Sequence, residues 1–354
     1  MTIEEILRKA VSEGASDILI IAGMPAGFKI NRLIQRQGER LLPDAIETLV
    51  KDLYHMAGER DMSPLLNHGD DDFSFAVSGL CRFRVNALKQ RGSLGLVIRV
   101  VSFTLPDRNA LGIPDNVMAF AKCTRGMVLL TGPAGSGKTT TLACIVDEIN
   151  STRNSHIITI EDPIEYLHHH KMSVVTQREL STDTVSYDTA LRAALREAPD
   201  IILLGEMRDA DTIRAAVTAA ETGHLVISTL HTVGASSTID RIVDSFPPEQ
   251  QQQIRTQLAM VLEGVVSQQL IPTVDGKLVP AFEVMSVNSA IRNMIRESKA
   301  HQIDNVISQS AAEGMVTMDQ SLVRLVQSRR ITAEEAQRHS VNSEWMSRRL
   351  SVGI

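Results

Sequence analysis

Apolar residues along this chain follow two patterns, and the change between them divides it. "MTIEEILRKAVSEG" at 1–14 reads as an amphipathic helix ended by Gly14, and "DILIIAG" as a buried strand. "DAIETLVKDLYHMAG" predicts a second helix with Asp44 as its N-cap. "DDFSFAV", "CRFRVNAL" and "LGLVIRVV" then follow as strands separated by glycine-containing turns. Residues 1–102 are thus expected to form a mixed α+β domain. "SFTLPDRNALGIPDN", with two prolines and a glycine, breaks the pattern and predicts an interdomain linker over 103–116.

From 117 onward short continuous apolar runs alternate with helical stretches: "MVLLT", "TTTLACIVDEIN", "HIITIED", "TALRAALREA", "DIILLGE", "ADTIRAAVTAAETG" and "LVISTL". Strands with no polar alternation are buried on both faces, so this order predicts an α/β domain with a mostly parallel, doubly covered sheet over 117–270. After "PPEQQQQ" the pattern turns helical. Residues 271–354 are expected to form a C-terminal helical region, with the glutamines at 250–253 on a polar helix face. No internal repeat interrupts this reading.

Composition narrows the class without changing the fold. The 354 residues are 43% hydrophobic and 22% charged, a soluble globular balance long enough for two or three domains. With 36 basic against 42 acidic side chains the net charge is -6, which weighs against a general nucleic-acid or anionic-membrane binder. One tryptophan and three tyrosines leave little for base stacking. Cys81, Cys123 and Cys144 are scattered with no CxxC pair, as expected of reduced thiols rather than a zinc site. No basic-then-apolar leader opens the chain, and no apolar run approaches the ~18 residues of a membrane span. Any membrane association is therefore expected through a partner, not by direct insertion.

The strongest chemical motif is Gly132-Pro133-Ala134-Gly135-Ser136-Gly137-Lys138-Thr139, followed by Thr140. Glycines let successive backbone N–H groups curl around an anion, and the following helix aims its positive end at the same point. Lys138 supplies a point charge for the β- and γ-phosphates of ATP, and Thr139 a hydroxyl for Mg²⁺. The strand "MVLLT" leads in and a helix leads out, the context such a loop requires.

In an open parallel sheet, ligands bind beyond the carboxyl ends of the strands. "HIITI" is followed by Glu161, Asp162 and Glu165, "DIILL" by Glu206 and Arg208, and "LVISTL" by His231. A magnesium nucleotide needs a carboxylate, and hydrolysis needs a group to orient water. Glu206, after four apolar residues, is placed as the metal-side acid, while Asp162 and Glu165 can hold or polarise the water. His224 lies at the opposite end of the strand from His231, about 23 Å away at strand spacing. "HHH" at 168–170 has no accompanying acidic or cysteine cluster and reads as a surface loop.

Taken in order, these motifs resemble the hexameric ATPases of type II secretion and type IV pili, with the closest likeness in the pilus-retraction branch. The residues that carry it are "TGPAGSGKTTTLA" at 131–143, "TIEDPIEY" at 159–166, "LLGEMRD" at 203–209 and "TGHLVISTLHT" at 222–232. "IDRIVDSFP", "GMVTMDQSL", "GASD", "DFSF" and "RFRVN" extend the likeness over nearly the whole chain. The resemblance implies a PAS-like N-terminal domain and a RecA-like ATPase core. It implies Glu165 as the residue that activates water, Glu206 as the Walker-B acid, and His231 near the phosphate. It also implies a nucleotide contact from the N-terminal domain, by Arg82, Arg84 or Arg99. The implied assembly is a cytoplasmic homo-hexamer held at the inner face of the membrane by a platform protein at the pilus base. A paralogous accessory ATPase is a further candidate partner, and nucleic acid is not expected. The chain departs from the family pattern at Ala198, in "REAPD", where an aspartate is usual.

"SAIRNMIRES" at 289–298 repeats Ile291, Met294 and Ile295 at helical spacing, with Arg292 and Arg296 four apart on another face beside Asn293 and Glu297. Ala290 to Glu297 resemble the retraction branch's own C-terminal motif, with Met294 in place of leucine. That resemblance implies a coupling surface needed for retraction rather than for ATP chemistry.

Overall fold

A computed structural model of the chain describes residues 1–30, 33–101 and 105–351. It divides into two compact units: Met1–Thr104 together with Glu165–Leu167, and the remainder.

The first unit is built on one antiparallel sheet. Its strands are β1 (Asp17–Ile20), β2 (Ala26–Ile30), β3 (Leu33–Gln37), β4 (Asp70–Val77), β5 (Cys81–Gln90) and β6 (Ser93–Val101), in the order β3-β2-β1-β6-β5-β4. Strict alternation along β5 buries Cys81, Phe83, Val85 and Ala87 and turns Arg82, Arg84 and Asn86 to the other face. The helices Ile3–Ser12 and Pro43–Met56 cover the apolar face, packing Ile6, Leu7, Ile46, Val50 and Leu53 with Ile18, Phe28, Phe83 and Ile98. The first of these helices opens on a capping box between Thr2 and Glu5. The second does not use Asp44 as its N-cap. Leu42 takes that position and Pro43 starts the helix, its fixed φ and missing N–H costing nothing there.

The expected linker is not featureless. Residues 102–104 lie outside the described residues, but beyond them stand the short helices Arg108–Leu111 and Asp115–Met118.

The second unit carries a mostly parallel sheet in the order β13-β12-β7-β11-β10-β8-β9. Its strands are β7 (Gly126–Thr131), β8 (His156–Glu161), β9 (Val174–Glu179), β10 (Ile201–Leu204), β11 (Leu225–Leu230), β12 (Leu262–Pro272) and β13 (Leu278–Ser286). Every residue of β7, β10 and β11 is buried, as strands covered on both faces must be. Two apolar layers flank the sheet. One holds Leu129, Ile158, Val226 and the helices Ala210–Glu221, Ala235–Asp244 and Pro248–Val261. The other holds Val128, Ile227 and the helix Lys138–Thr152.

The C-terminal region does not begin as helix. Residues 262–286 form a β12–β13 hairpin that adds to the sheet edge beside β7, antiparallel within itself and parallel to β7 through β12. β12 is buried on both faces yet contains Ser267, Gln268 and Gln269, so neither strand alternation nor an unbroken apolar run announces it. Helices then follow from Ser289 onward. No helix among the described residues is long and apolar enough to cross a membrane.

Candidate active site

The loop after β7 is held by what glycine lacks. Gly132 has φ 140° and Gly137, the cap of the following helix, has φ 87°. A Cβ on Gly132 would stand 2.2 Å from the Gln268 carbonyl oxygen, so no other residue fits. Pro133, Ala134 and Gly135 form an exposed crest, with open space around Gly135. Ser136 is buried, and its Oγ finds no hydrogen-bond partner among the described residues. Lys138, 7% exposed, folds back to donate from Nζ to the carbonyls of Gly132 (2.8 Å) and Pro133 (2.9 Å). Thr139 and Thr140 are half-buried in the first helical turn. An orphaned hydroxyl, an ammonium at the loop and a helix N-terminus together fit a polyphosphate.

The neighbouring strand ends reach the same edge. β11 pairs Leu230 with Thr131 of β7, and β10 pairs Leu204 with Ser228 and with Ile160 of β8. At strand spacing Glu206 therefore lies about 10 Å across the sheet from the loop. Its side chain is 14% exposed, with Oε2 3.0 Å from His231 Nε2 and Oε1 bonded to Arg208. Burial pushes the Glu206 carboxyl up, but the hydrogen bond and charge of Arg208, then those of His231, outweigh it and hold it below the usual range. Glu206 is thus an anion at neutral pH.

Glu161 is engaged by Thr159 Oγ1 (2.7 Å) and Gln177 Nε2 (3.0 Å), whereas Asp162 is exposed. Arg208 feels the charges of both Glu206 and Asp162. Glu165, also exposed, groups with the first compact unit, so the stretch "TIEDPIEY" is shared between the two units.

In the first unit Arg84 pairs directly with Arg99 across β5 and β6, and Arg82 with Val101. Arg99 Nε donates to Asp17 Oδ1 at 3.0 Å. Burial pushes the Asp17 carboxyl up, but the bonds from Arg99 and Ser16 hold it low. Asp17, Asp72, Arg84, Asn86, Val97 and Arg99 line a cavity of about 260 Å³ on the sheet face away from the core.

The histidines at 224 and at 169–170 are engaged locally. His224 Nδ1 lies 3.0 Å from the Ala219 carbonyl, closing the end of its helix away from the loop. His169 and His170 belong to a loop stapled to the Lys138–Thr152 helix. Fully buried Asn150 donates to the His169 carbonyl and accepts from Lys171 N, and His170 Nδ1 accepts from Val175 N.

The charged face of the helix Ser289–Arg296 is partly engaged. Ile291 and Ile295 are fully buried and Met294 packs beside them. Arg292, however, donates to the carbonyls of Ala259 (2.7 Å) and Met260 (3.0 Å) and to Glu263 Oε1 (3.0 Å). It closes the C-terminal end of the helix Pro248–Val261, where a cation meets unpaired carbonyls and the negative end of the dipole. Asn293 and Arg296 stay exposed, and Glu297 pairs with Lys299 at 2.7 Å.

Two residues that sequence reasoning passed over belong to this region. The Tyr187 hydroxyl would meet a Cβ on Gly205 at 2.8 Å, and the ring sits within reach of the Asp162 and Glu206 charges. Burial and then those carboxylates push its pKa up. Glu283, 5% exposed on β13, accepts from Ala235 N (2.7 Å) and Met318 N (3.3 Å), the first residues of two helices. Nothing in their local patterns marks either residue.

A glycine loop between a buried parallel strand and a helix, with acid and imidazole delivered by adjacent strands, defines a P-loop nucleotide-binding protein of the RecA-like class. The family model for type II/IV secretion system proteins matches residues 1–351. Over 337 residues the chain is 44% identical to the type IV pilus retraction ATPase PilT of Pseudomonas aeruginosa, covering 95% of this chain and 97% of that protein. It is 50% identical over 277 residues to a twitching motility protein of Neisseria gonorrhoeae, covering 78% and 74%. The crystal structure of the pilus retraction motor PilT with bound ADP matches at a TM-score of 0.90 and 44% identity, covering 98% and 99%. The chain belongs to the type II/IV secretion ATPase family, in its PilT-type branch.

Proposed function

We propose that this protein is a homo-hexameric motor that hydrolyses ATP to drive retraction and disassembly of type IV pili, as in twitching motility. The observation that carries the reading is an intact phosphate loop, Gly132 to Thr139, in a chain 44% identical to a pilus retraction ATPase along almost its whole length.

In the proposed mechanism Lys138 leaves the Gly132 and Pro133 carbonyls for the β- and γ-phosphates, while loop N–H groups and Ser136 Oγ bind the remaining oxygens. Thr139 and Glu206, an alcohol and an ionised carboxylate, are the hard oxygen donors that suit Mg²⁺. When bound, that ion neutralises charge on the phosphate oxygens. Glu165 activates the attacking water with Asp162 supporting it. His231, bonded to Glu206, stands where it can report the γ-phosphate to the helix that follows. One of Arg82, Arg84 and Arg99 completes the nucleotide contact from the first unit.

The hexamer passes its displacement to a platform protein of the cytoplasmic membrane, with which the protein associates peripherally. Asn293, Arg296 and Glu297, the outward residues of the Ala290–Glu297 motif, form the coupling surface. Arg292 instead maintains the helix pair beneath it.

Deleting the gene in its native bacterium and counting surface pili tests the reading. Excess pili that fail to retract are expected. Bald cells would replace retraction with extension.

A further inference from the structure

The phosphate loop rests on β12, a strand outside the four motifs that mark the site. β12 runs parallel to β7 and pairs Ser267 with Thr131, which sets Gln268 beside the first residue of the loop. Gln268 is 4% exposed. Its carbonyl oxygen occupies the space a Cβ on Gly132 would need, at 2.2 Å. Its Nε2 lies 2.9 Å from where a Cβ on Gly137 would stand. Its Oε1 accepts a 2.8 Å hydrogen bond from Thr141 Oγ1, and Thr141, 1% exposed, lies in the first turn of the loop's helix. One residue therefore touches the entry glycine, the exit glycine and the helix that leaves the loop.

Two glycines at positive φ cannot by themselves fix a loop, because the freedom that admits the turn admits others. A neighbour packed against both ends removes that freedom. The side-chain bond is buried, so losing either partner strands a polar group. We infer that Gln268 is a positioning residue for the phosphate loop: it braces Gly132 and Gly137 and, through Thr141, sets the helix whose N-terminus faces the polyphosphate. Its effect falls on nucleotide affinity, because the carboxylates assigned to the attacking water stand beyond another strand, β8.

This inference rests on the nucleotide-binding reading, and binding of the wild-type protein tests that reading separately. Fluorescent ADP is titrated into the purified full-length protein, and KM and kcat for ATP are measured with it. If the wild type does not bind ADP, the functional reading fails. Given wild-type binding, Gln268→Met and Thr141→Val should each weaken ADP and raise KM by about tenfold, as loss of one buried hydrogen bond predicts. In each, kcat should stay within about twofold. The double variant should be no worse than either alone, since both remove the same bond. Unchanged affinity in both single variants, additive losses, or a fall in kcat at constant KM would each overturn the proposal. Should Gln268→Met fail to fold, Thr141→Val alone decides between raised and unchanged KM.

Discussion

Ala198 shows what a single backbone angle costs. It stands at φ 51° between the helix Tyr187–Ala194 and β10, a left-handed conformation that strains an alanine Cβ. An aspartate, with its short polar side chain, tolerates this region better. Ala198→Gly should stabilise the protein by about 0.5–1 kcal/mol, the relief of strain exceeding the entropy added to the unfolded chain. A rise of a few degrees in melting temperature checks this, and a fall would show that the angle is relaxed. Glu206 makes the functional case at the same scale. Held low by Arg208 and His231, it is ionised wherever the enzyme works. Glu206→Gln keeps shape and burial but removes the charge, so kcat for ATP should drop roughly a hundredfold or more while ADP still binds. Turnover at the wild-type rate would take this carboxylate out of the chemistry.

At the scale of elements, three helix ends are held by two side chains from elsewhere in the chain. Arg292→Ala strips the guanidinium from the carbonyls of Ala259 and Met260 and leaves Glu263 unpaired. Because the side chain is partly exposed, about 1–2 kcal/mol of stability should go with it. Arg296→Ala, on the exposed side of the same helix, should cost under about 0.5 kcal/mol and leave ATP hydrolysis intact. Chemical denaturation of the two variants separates a structural arginine from a surface one, and equal stabilities would contradict the clamp. Glu283 holds its two helix starts with a different dependence. Burial first, then the nearby Asp304 and Asp319 carboxylates, raise it to about 7, against the lowering effect of the Ala235 and Met318 N–H bonds. Since the folded value exceeds the unfolded one, its contribution to stability is complete below the ordinary carboxylate range and is lost as pH rises through about 7. Glu283→Gln, neutral throughout, should flatten the slope of melting temperature between roughly pH 5 and 8. An unchanged slope would assign that titration to Asp304, the neighbouring carboxyl that is also held above its ordinary range.

Across the whole molecule, what was legible follows from how each feature is encoded. β7, β10 and β11 are continuous apolar runs, and the loop between β7 and its helix is written in adjacent residues, so pattern and chemistry coincide. The β12–β13 hairpin is encoded differently. Ser267, Gln268 and Glu283 are polar because they bond to the loops and helix starts beside them, and that purpose hides the strands they sit on. The bonds of Arg292 were not legible, because spacing on one helix says nothing about the helix end lying next to it. Glu165 stands four residues beyond β8, yet it groups with the other unit, a partition no local pattern expresses. Each unit has its own core, one around Phe28 and Phe83 and the other around the parallel sheet, so each should unfold with its own enthalpy. Ligand binding stabilises only the state that binds, by about 2.7 kcal/mol when ADP is present at a hundred times its Kd. Calorimetry of the full chain should therefore show ADP raising the transition of the unit that carries Lys138 well above any rise in that of the first unit, which contributes only an arginine contact. Lys138→Ala should abolish the shift without moving the ADP-free melting curve by more than a degree or two. If both transitions rise by the same amount in ADP, the two cores unfold as one cooperative body and the nucleotide stabilises the whole of it.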